Sequence, residues 1–170
     1  MNRCLLDHPD LGRRFLHIAE GEVFMRPTVV STVLGSCVSV TFFCPTHRIG
    51  GIFHALLPEK EAYAEPGRPY PPYRYVDTAT DQIARRMQAN GAQLSTLECK
   101  VFGGGSTMLQ GELGVGRDNA AAALDALGRL GLTPCASDVG RPVARKLFFV
   151  THTGEVFIRR FQYGPNQACD

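Results

Sequence analysis

Residues 31–58 read STVLGSCVSVTFFCPTHRIGGIFHALLP, and the fold follows from how this stretch is divided. Thr28 to Leu34, Cys37 to Cys44 and Ile49 to Leu57 are runs of β-branched and aromatic residues, interrupted by Gly35-Ser36 and by Pro45-Thr46. They read as three strands, the last two forming a hairpin. Pro45 fixes φ near −65°, which the mirror-image two-residue turns do not accept, so a loop from Cys44 to His47 is expected. That loop pairs Phe43 with Arg48, Thr41 with Gly50, Ser39 with Ile52 and Cys37 with His54. Directly opposed residues share a face, with Cβ atoms about 4.5 to 5.5 Å apart. The opposite face carries Val38, Val40 and Phe42 against Ala55, Phe53 and Ile49, an apolar set suited to a core. One face is expected to pack and the other to be available for chemistry, and a slip of one residue would exchange them.

The pairing brings a thiol and an imidazole together. A thiol becomes a strong nucleophile only as thiolate, and a neighbouring histidine both lowers its pKa and later returns the proton to a leaving group. Cys37 and His54 fit these parts. Gly35-Ser36 has little side-chain bulk, so backbone N–H groups there can face the oxyanion of a tetrahedral intermediate. A third group usually orients the base, and Ser31 and Thr32 on the preceding strand are the nearest candidates. A cysteine opening an apolar strand also reads as an ordinary packed thiol. His17, His47 and His152 are alternative bases, but none shares the inferred hairpin face opposite Cys37.

The chain has 170 residues, 44% hydrophobic and 20% charged, which fits one globular domain with a core of its own. Its net charge of +2 and scattered basic residues, with only Arg85-Arg86 and Arg159-Arg160 adjacent, give no footprint for nucleic acid. The N-terminus MNRCLLDHPDLG has no apolar signal region, and no stretch reaches the length of a membrane span, so a cytoplasmic protein without membrane insertion is expected. Cysteines at 4, 37, 44, 99, 135 and 169 have no regular spacing and no C-x-x-C, which argues for free thiols. Cys44-x-x-His47 and Cys4-x-x-x-His8 are isolated pairs, and no metal or cofactor is called for.

Along the chain, residues 1–19 read as a loosely ordered N-terminal segment, 20–161 as a single domain and 162–170 as a C-terminal tail. Glu20 to Met25 is a short strand candidate. Glu59 to Pro72 has the Pro-rich composition of an extended loop, either a linker or an overhang beside His54. Tyr75 to Asn90 has helical spacing at Val76, Ala79, Ile83 and Met87, with Asp77 as N-cap and Asn90-Gly91 as stop. Leu97 to Phe102 is a buried strand running into Gly103-Gly104-Gly105-Ser106-Thr107. That loop lacks the phosphate-binding pattern and reads as a tight packing turn. Ala120 to Leu130 is a second helix, capped by Asn119 and stopped by Gly131. Thr133 to Asp138 is a strand candidate, and Leu147 to Val150 with Glu155 to Phe161 form a hairpin. The order implies an α/β sandwich of largely antiparallel sheets with two main helices.

These residues resemble the CheD family of chemoreceptor glutamine deamidases. The resemblance rests on Leu34-Gly35-Ser36-Cys37 followed by Gly50-Gly51-x-x-His54-x-x-Leu57-Pro58. It continues in Tyr75-x-Asp77-x-Ala79, Lys100-Val101-Phe102-Gly103-Gly104 and Asp138-Val139-Gly140 with Arg145-Lys146, covering residues 20–161. It implies a cysteine hydrolase that converts glutamine side chains on the cytoplasmic domains of methyl-accepting chemoreceptors to glutamate, releasing ammonia. Cys37 would be the nucleophile and His54 the base. The third catalytic group is a threonine six positions before the cysteine, here Ser31, with Thr32 beside it as the substitute. The resemblance also implies the phosphatase CheC as a partner. A non-catalytic module that docks such partners is the competing reading. Two motifs depart from the family: G-G-x-x-G-R-K is here Gly140-Arg141-Pro142-Val143-Ala144-Arg145-Lys146, and I-G-x-R-N is Val115-Gly116-Arg117-Asp118-Asn119. Both departures bear on substrate or partner contacts rather than on the Cys37–His54 pair.

Overall fold

A computed structural model describes residues 10–106 and 114–162. Two sheets are stacked face to face. One has four strands in the order β1 (Gly12–Phe15), β3 (Thr28–Leu34), β8 (Val143–Val150), β9 (Val156–Gln162). The other has five, in the order β2 (Glu20–Phe24), β5 (Ile49–His54), β4 (Val38–Cys44), β6 (Glu98–Gly103), β7 (Ala136–Val139). Only β1–β3 and β6–β7 are parallel; the other pairs are antiparallel, as expected of this sandwich. A one-turn helix α1 (Lys60–Tyr63) precedes the two main helices, α2 (Val76–Ala89) and α3 (Val115–Arg129). The main helices cover the outer face of the five-stranded sheet.

The hairpin β4–β5 is the centre of this arrangement, and every residue of both strands is buried. Val38, Val40, Phe42, Ile49, Phe53 and Ala55 pack with Val76, Ala79, Ile83 and Met87 of α2 and Ala122 and Ala123 of α3. The other face, expected to be available for chemistry, lies in the interior between the two sheets, where Cys37 and Ile52 pack with Leu16, Val30, Leu34, Phe102 and Leu147. Gly50 and Gly51 explain how both sides can close on one strand. A Cβ at Gly51 would lie 2.7 Å from Ile83 of α2, and one at Gly50 would lie 2.6 Å from the Thr151 carbonyl on the other side.

The hairpin register differs from the expected one by two residues. Thr41 pairs with Ile52 and Cys44 with Ile49, leaving Pro45–Arg48 as the loop, with Arg48 in the left-handed region at φ 52°. Nothing in the sequence announces that a non-glycine residue closes this turn. Because the difference is even, every side chain keeps its face.

β1 forms within the stretch expected to be loose. It adds in parallel to β3 and buries Leu16 at its end, although Gly12–Phe15 themselves are exposed and carry no alternating pattern. Two caps also differ. Tyr75 is the N-cap of α2, while the Asp77 carboxylate accepts from the backbone N–H of Lys60 at 3.1 Å and so caps α1. Asn119 lies one turn inside α3, whose N-cap is Gly114. The stops at Gly91 and Gly131 are as expected, both at positive φ.

Candidate active site

The ends of β1, β3, β5, β6 and β7 and the starts of β2, β4 and β8 meet at one edge of the sandwich, as the strand registers require. Cys37 immediately precedes β4 there and His54 ends β5. The last paired step of these two strands is Val38 with Ala55, whose backbone N–H groups donate to each other's carbonyls at 3.0 and 2.9 Å. Cys37 and His54 therefore lie diagonally across this step on one face, not directly opposite. Diagonal neighbours have Cα atoms roughly 7 to 8 Å apart, within reach of a ring. Cys37 is 7% exposed and His54 3%.

His54 is anchored from the facing sheet. Its Nδ1 lies 2.8 Å from Oγ1 of Thr32, which is fully buried in β3. The same hydroxyl lies 2.8 Å from the carbonyl of Leu16. A hydroxyl has one proton and a carbonyl can only accept, so Thr32 donates to Leu16 and accepts from Nδ1–H of His54. This assigns the tautomer and leaves the lone pair on Nε2. That atom is buried and has no hydrogen-bond partner. Burial pushes the imidazole pKa down to about 4, against the opposing pull of the Leu16 carbonyl and the Glu20 carboxylate, with His17 adding to the lowering. The ring is a neutral base at neutral pH.

The turn before Cys37 is held from behind at each of its three carbonyls. Gly105 N–H donates to Gly35 at 2.8 Å, Gly104 N–H to Cys37 at 2.9 Å, and the Asn119 side-chain amide to Ser36 at 2.9 Å. In a planar trans peptide the N–H points away from the C=O, so the Ser36 and Cys37 amides face the side opposite these anchors. The glycine triplet is the tight packing turn that the sequence suggested. A Cβ at Gly103 would collide with the Cys37 carbonyl, and one at Gly104 would lie 2.6 Å from the Gly116 carbonyl of α3.

Of the sequence candidates, the structure brings Cys37, His54 and Thr32 to one place and leaves Ser31 out. Ser31 alternates onto the outer face of the four-stranded sheet, beside Phe15 and Phe148 in register. His47 and His152 lie at the far end of the hairpin, where His47 Nε2 is 3.1 Å from the Gly91 carbonyl. His17 sits in the turn beside His54 and is exposed. Sequence reasoning missed the Leu16 carbonyl, which no side-chain pattern reveals, and the role of Asn119. The signal for Asn119 was present: it shares the helical spacing of Ala122, Ala123 and Ala126, the buried face of α3.

Fold and site together define a two-sheet α/β sandwich with a buried cysteine–histidine centre at the edge where its strands converge. The chain belongs to the CheD family: residues 56–160 match the family described as CheD chemotactic sensory transduction. It is 41% identical over 160 residues to the probable chemoreceptor glutamine deamidase CheD of Maridesulfovibrio salexigens, covering 90% of this chain and 94% of that relative. It is 42% identical to the probable chemoreceptor glutamine deamidase CheD 2 of Geobacter sulfurreducens, covering 90% and 92%. The family match begins two residues past His54, but a match over nine-tenths of the chain spans Thr32, Cys37 and His54 whichever end it leaves out. The crystal structure of Bacillus licheniformis hypothetical protein YfiH aligns with a TM-score of 0.44 and 10% identity, over 70% of this chain and 50% of that one.

Proposed function

We propose that this protein is a protein-glutamine deamidase acting on the cytoplasmic domains of bacterial chemoreceptors, with Cys37 as nucleophile and His54 as base. The supporting observation is the chain Leu16–Thr32–His54, which puts the proton on Nδ1 and the lone pair on Nε2, on the face that Cys37 shares. In this reading Nε2 takes the Cys37 proton, and the thiolate attacks the amide carbon of a glutamine side chain. The Ser36 and Cys37 amides stabilise the oxyanion. Collapse breaks the carbon–nitrogen bond, His54–H⁺ protonates the departing amine, and ammonia leaves a thioester. A water molecule, deprotonated by the same Nε2, hydrolyses the thioester to glutamate and restores the thiol. Thr32 takes the orienting part that the family pattern would give to Ser31. The substrate being the cytoplasmic part of a receptor, the protein acts in the cytoplasm.

The test is incubation with a purified receptor cytoplasmic fragment, followed by peptide mass analysis for amide-to-acid conversion. Wild type should convert specific glutamines, Cys37→Ala should convert none, and His54→Ala should fall by at least about 10² in rate. Conversion by Cys37→Ala at the normal rate would sink the assignment. The near-complete burial of both residues favours one competing reading, a docking module that binds CheC or a receptor without turnover. That reading requires wild type and Cys37→Ala to be equally inert and to bind equally well.

A further inference from the structure

Asn119 is fully buried on α3, and its side-chain amide reaches two strands at once. Nδ2 donates to the Ser36 carbonyl at 2.9 Å and to the Leu56 carbonyl at 3.0 Å. Ser36 precedes the proposed nucleophile and Leu56 lies two residues past the proposed base. Both lie beyond the last backbone-paired step of β4 and β5, at Val38 and Ala55. Where the strand ladder stops, this amide takes over the link between them.

The amide is a poor choice for packing alone. Asparagine is a weak helix former, and Oδ1 is buried without a hydrogen-bond partner. Leaving such an acceptor unmade costs about 1 to 3 kcal/mol, which an apolar side chain of similar size would avoid. Turning the amide over gives no relief, since it would set Oδ1 against two carbonyl oxygens. Both N–H groups are committed, and what they hold is the frame of the site. The bond to the Ser36 carbonyl fixes the plane of the Ser36–Cys37 peptide and so the direction of the Cys37 N–H.

We propose that Asn119 is a positioning residue, locking the peptide that carries the Cys37 amide to the strand end that carries His54. This rests on the deamidase reading for its rate consequence, but its geometric content can be read without substrate. Without the amide link the Cys37 turn keeps its backbone tie to β5 at Val38 but loses the one at Ser36, and the thiol and Nε2 lose their alignment.

Two variants test it. Asn119→Ala removes both donors. Asn119→Asp keeps the shape but has no donor when ionised and one when protonated. The first readout is alkylation of Cys37 by iodoacetamide against pH, followed by mass spectrometry, with exposed Cys135 as internal reference. Folded Asn119→Ala should alkylate at Cys37 at least tenfold more slowly than wild type at pH 7, with Cys135 unchanged. For Asn119→Asp the ratio to wild type should rise as pH falls and the new carboxyl gains its proton. The second readout is deamidation, where kcat should fall at least tenfold in Asn119→Ala with KM little changed. Wild type that alkylates as expected but never deamidates would refute the proposed function and leave the alkylation test of Asn119 intact. A folded Asn119→Ala with wild-type alkylation, or one in which only KM moves, overturns the proposal. Failure of both variants to fold at any pH would make Asn119 structural and overturn it too.

Discussion

His54 is the residue at which burial and ionisation meet. Its imidazole would titrate near 6.5 in the unfolded chain and titrates at about 4 in the folded protein, because it is buried as the neutral ring. Between those values the unfolded chain binds the extra proton, so stability must fall as pH drops from 6.5 toward 4, by up to about 3 kcal/mol. Urea unfolding at steps across this window should show that loss, and His54→Gln, which cannot titrate, should flatten it. An unchanged slope in the variant would mean that other groups carry the acid sensitivity. The ring's partner gives a second prediction. Thr32→Val removes the hydroxyl at nearly constant shape, leaving both the Leu16 carbonyl and Nδ1–H without their bond. Deamidation should fall roughly tenfold or more, the rate equivalent of one lost hydrogen bond, while Ser31→Ala, on the outer face, should stay near wild type. Steady-state assays of the two variants decide it, and the reverse ranking would contradict the hydrogen-bond chain described for His54.

At the scale of elements, strand identities and faces were legible and their ends were not. The alternation of Cys37 to Cys44 against Ile49 to Leu57 placed Cys37 and His54 on one face despite a two-residue error in register, because the error was even. What the pattern could not convey was that the face with Ser39, Thr41 and His54 is covered by a second sheet. Its polar residues Ser39, Thr41 and His54 are buried in the sandwich interior. The N-cap assigned to Asn119 failed for a related reason: asparagine favours caps by bonding its own backbone, but here its amide is occupied by other strands. Left-handed non-glycine residues are equally silent in sequence. Arg141 is one of them, at φ 63°, in the turn between β7 and β8 where the resembling family has glycine. Its carbonyl accepts from Val143 N–H at 2.9 Å and Ser106 N–H at 3.3 Å, so the turn is held in that conformation. An L-residue there costs about 1 to 2 kcal/mol, and Arg141→Gly should raise stability by about 1 kcal/mol after the entropy that glycine adds to the unfolded chain. A melting temperature lowered by the change would show that the exposed arginine makes compensating contacts.

For the whole molecule the question is what joins two sheets whose strands do not pair with each other. Apolar packing between them is one answer, and the sequence implied it through the number of strands. A second lies at the edge where the site sits. Asp138 of β7 belongs to the five-stranded sheet and Arg145 of β8 to the four-stranded one, and they bond at 3.0 Å with the Arg145 side chain fully buried. Arg145 also donates to the carbonyls of Gly140 and Val143, and Asp138 holds Arg160 of β9 at 2.7 Å. Burial alone would push the Asp138 carboxyl up, but the Arg145 hydrogen bond and charge, with those of Arg160, hold it below the usual carboxylate range. The stability it contributes is thus present above the ordinary carboxylate pKa and is lost as pH falls below it, a window more acid than that of His54. Removing the charge strands the buried guanidinium, so Asp138→Asn should destabilise by about 3 kcal/mol. The loss lies in the stranded cation rather than in the missing pair. Adding Arg145→Leu to Asp138→Asn should therefore restore much of the stability, since an apolar side chain at that position leaves no unpaired charge between the sheets. Urea unfolding of the single and double variants at pH 7 measures this, and a double variant clearly less stable than Asp138→Asn would mean that Arg145 holds the sheets together through its carbonyl contacts instead.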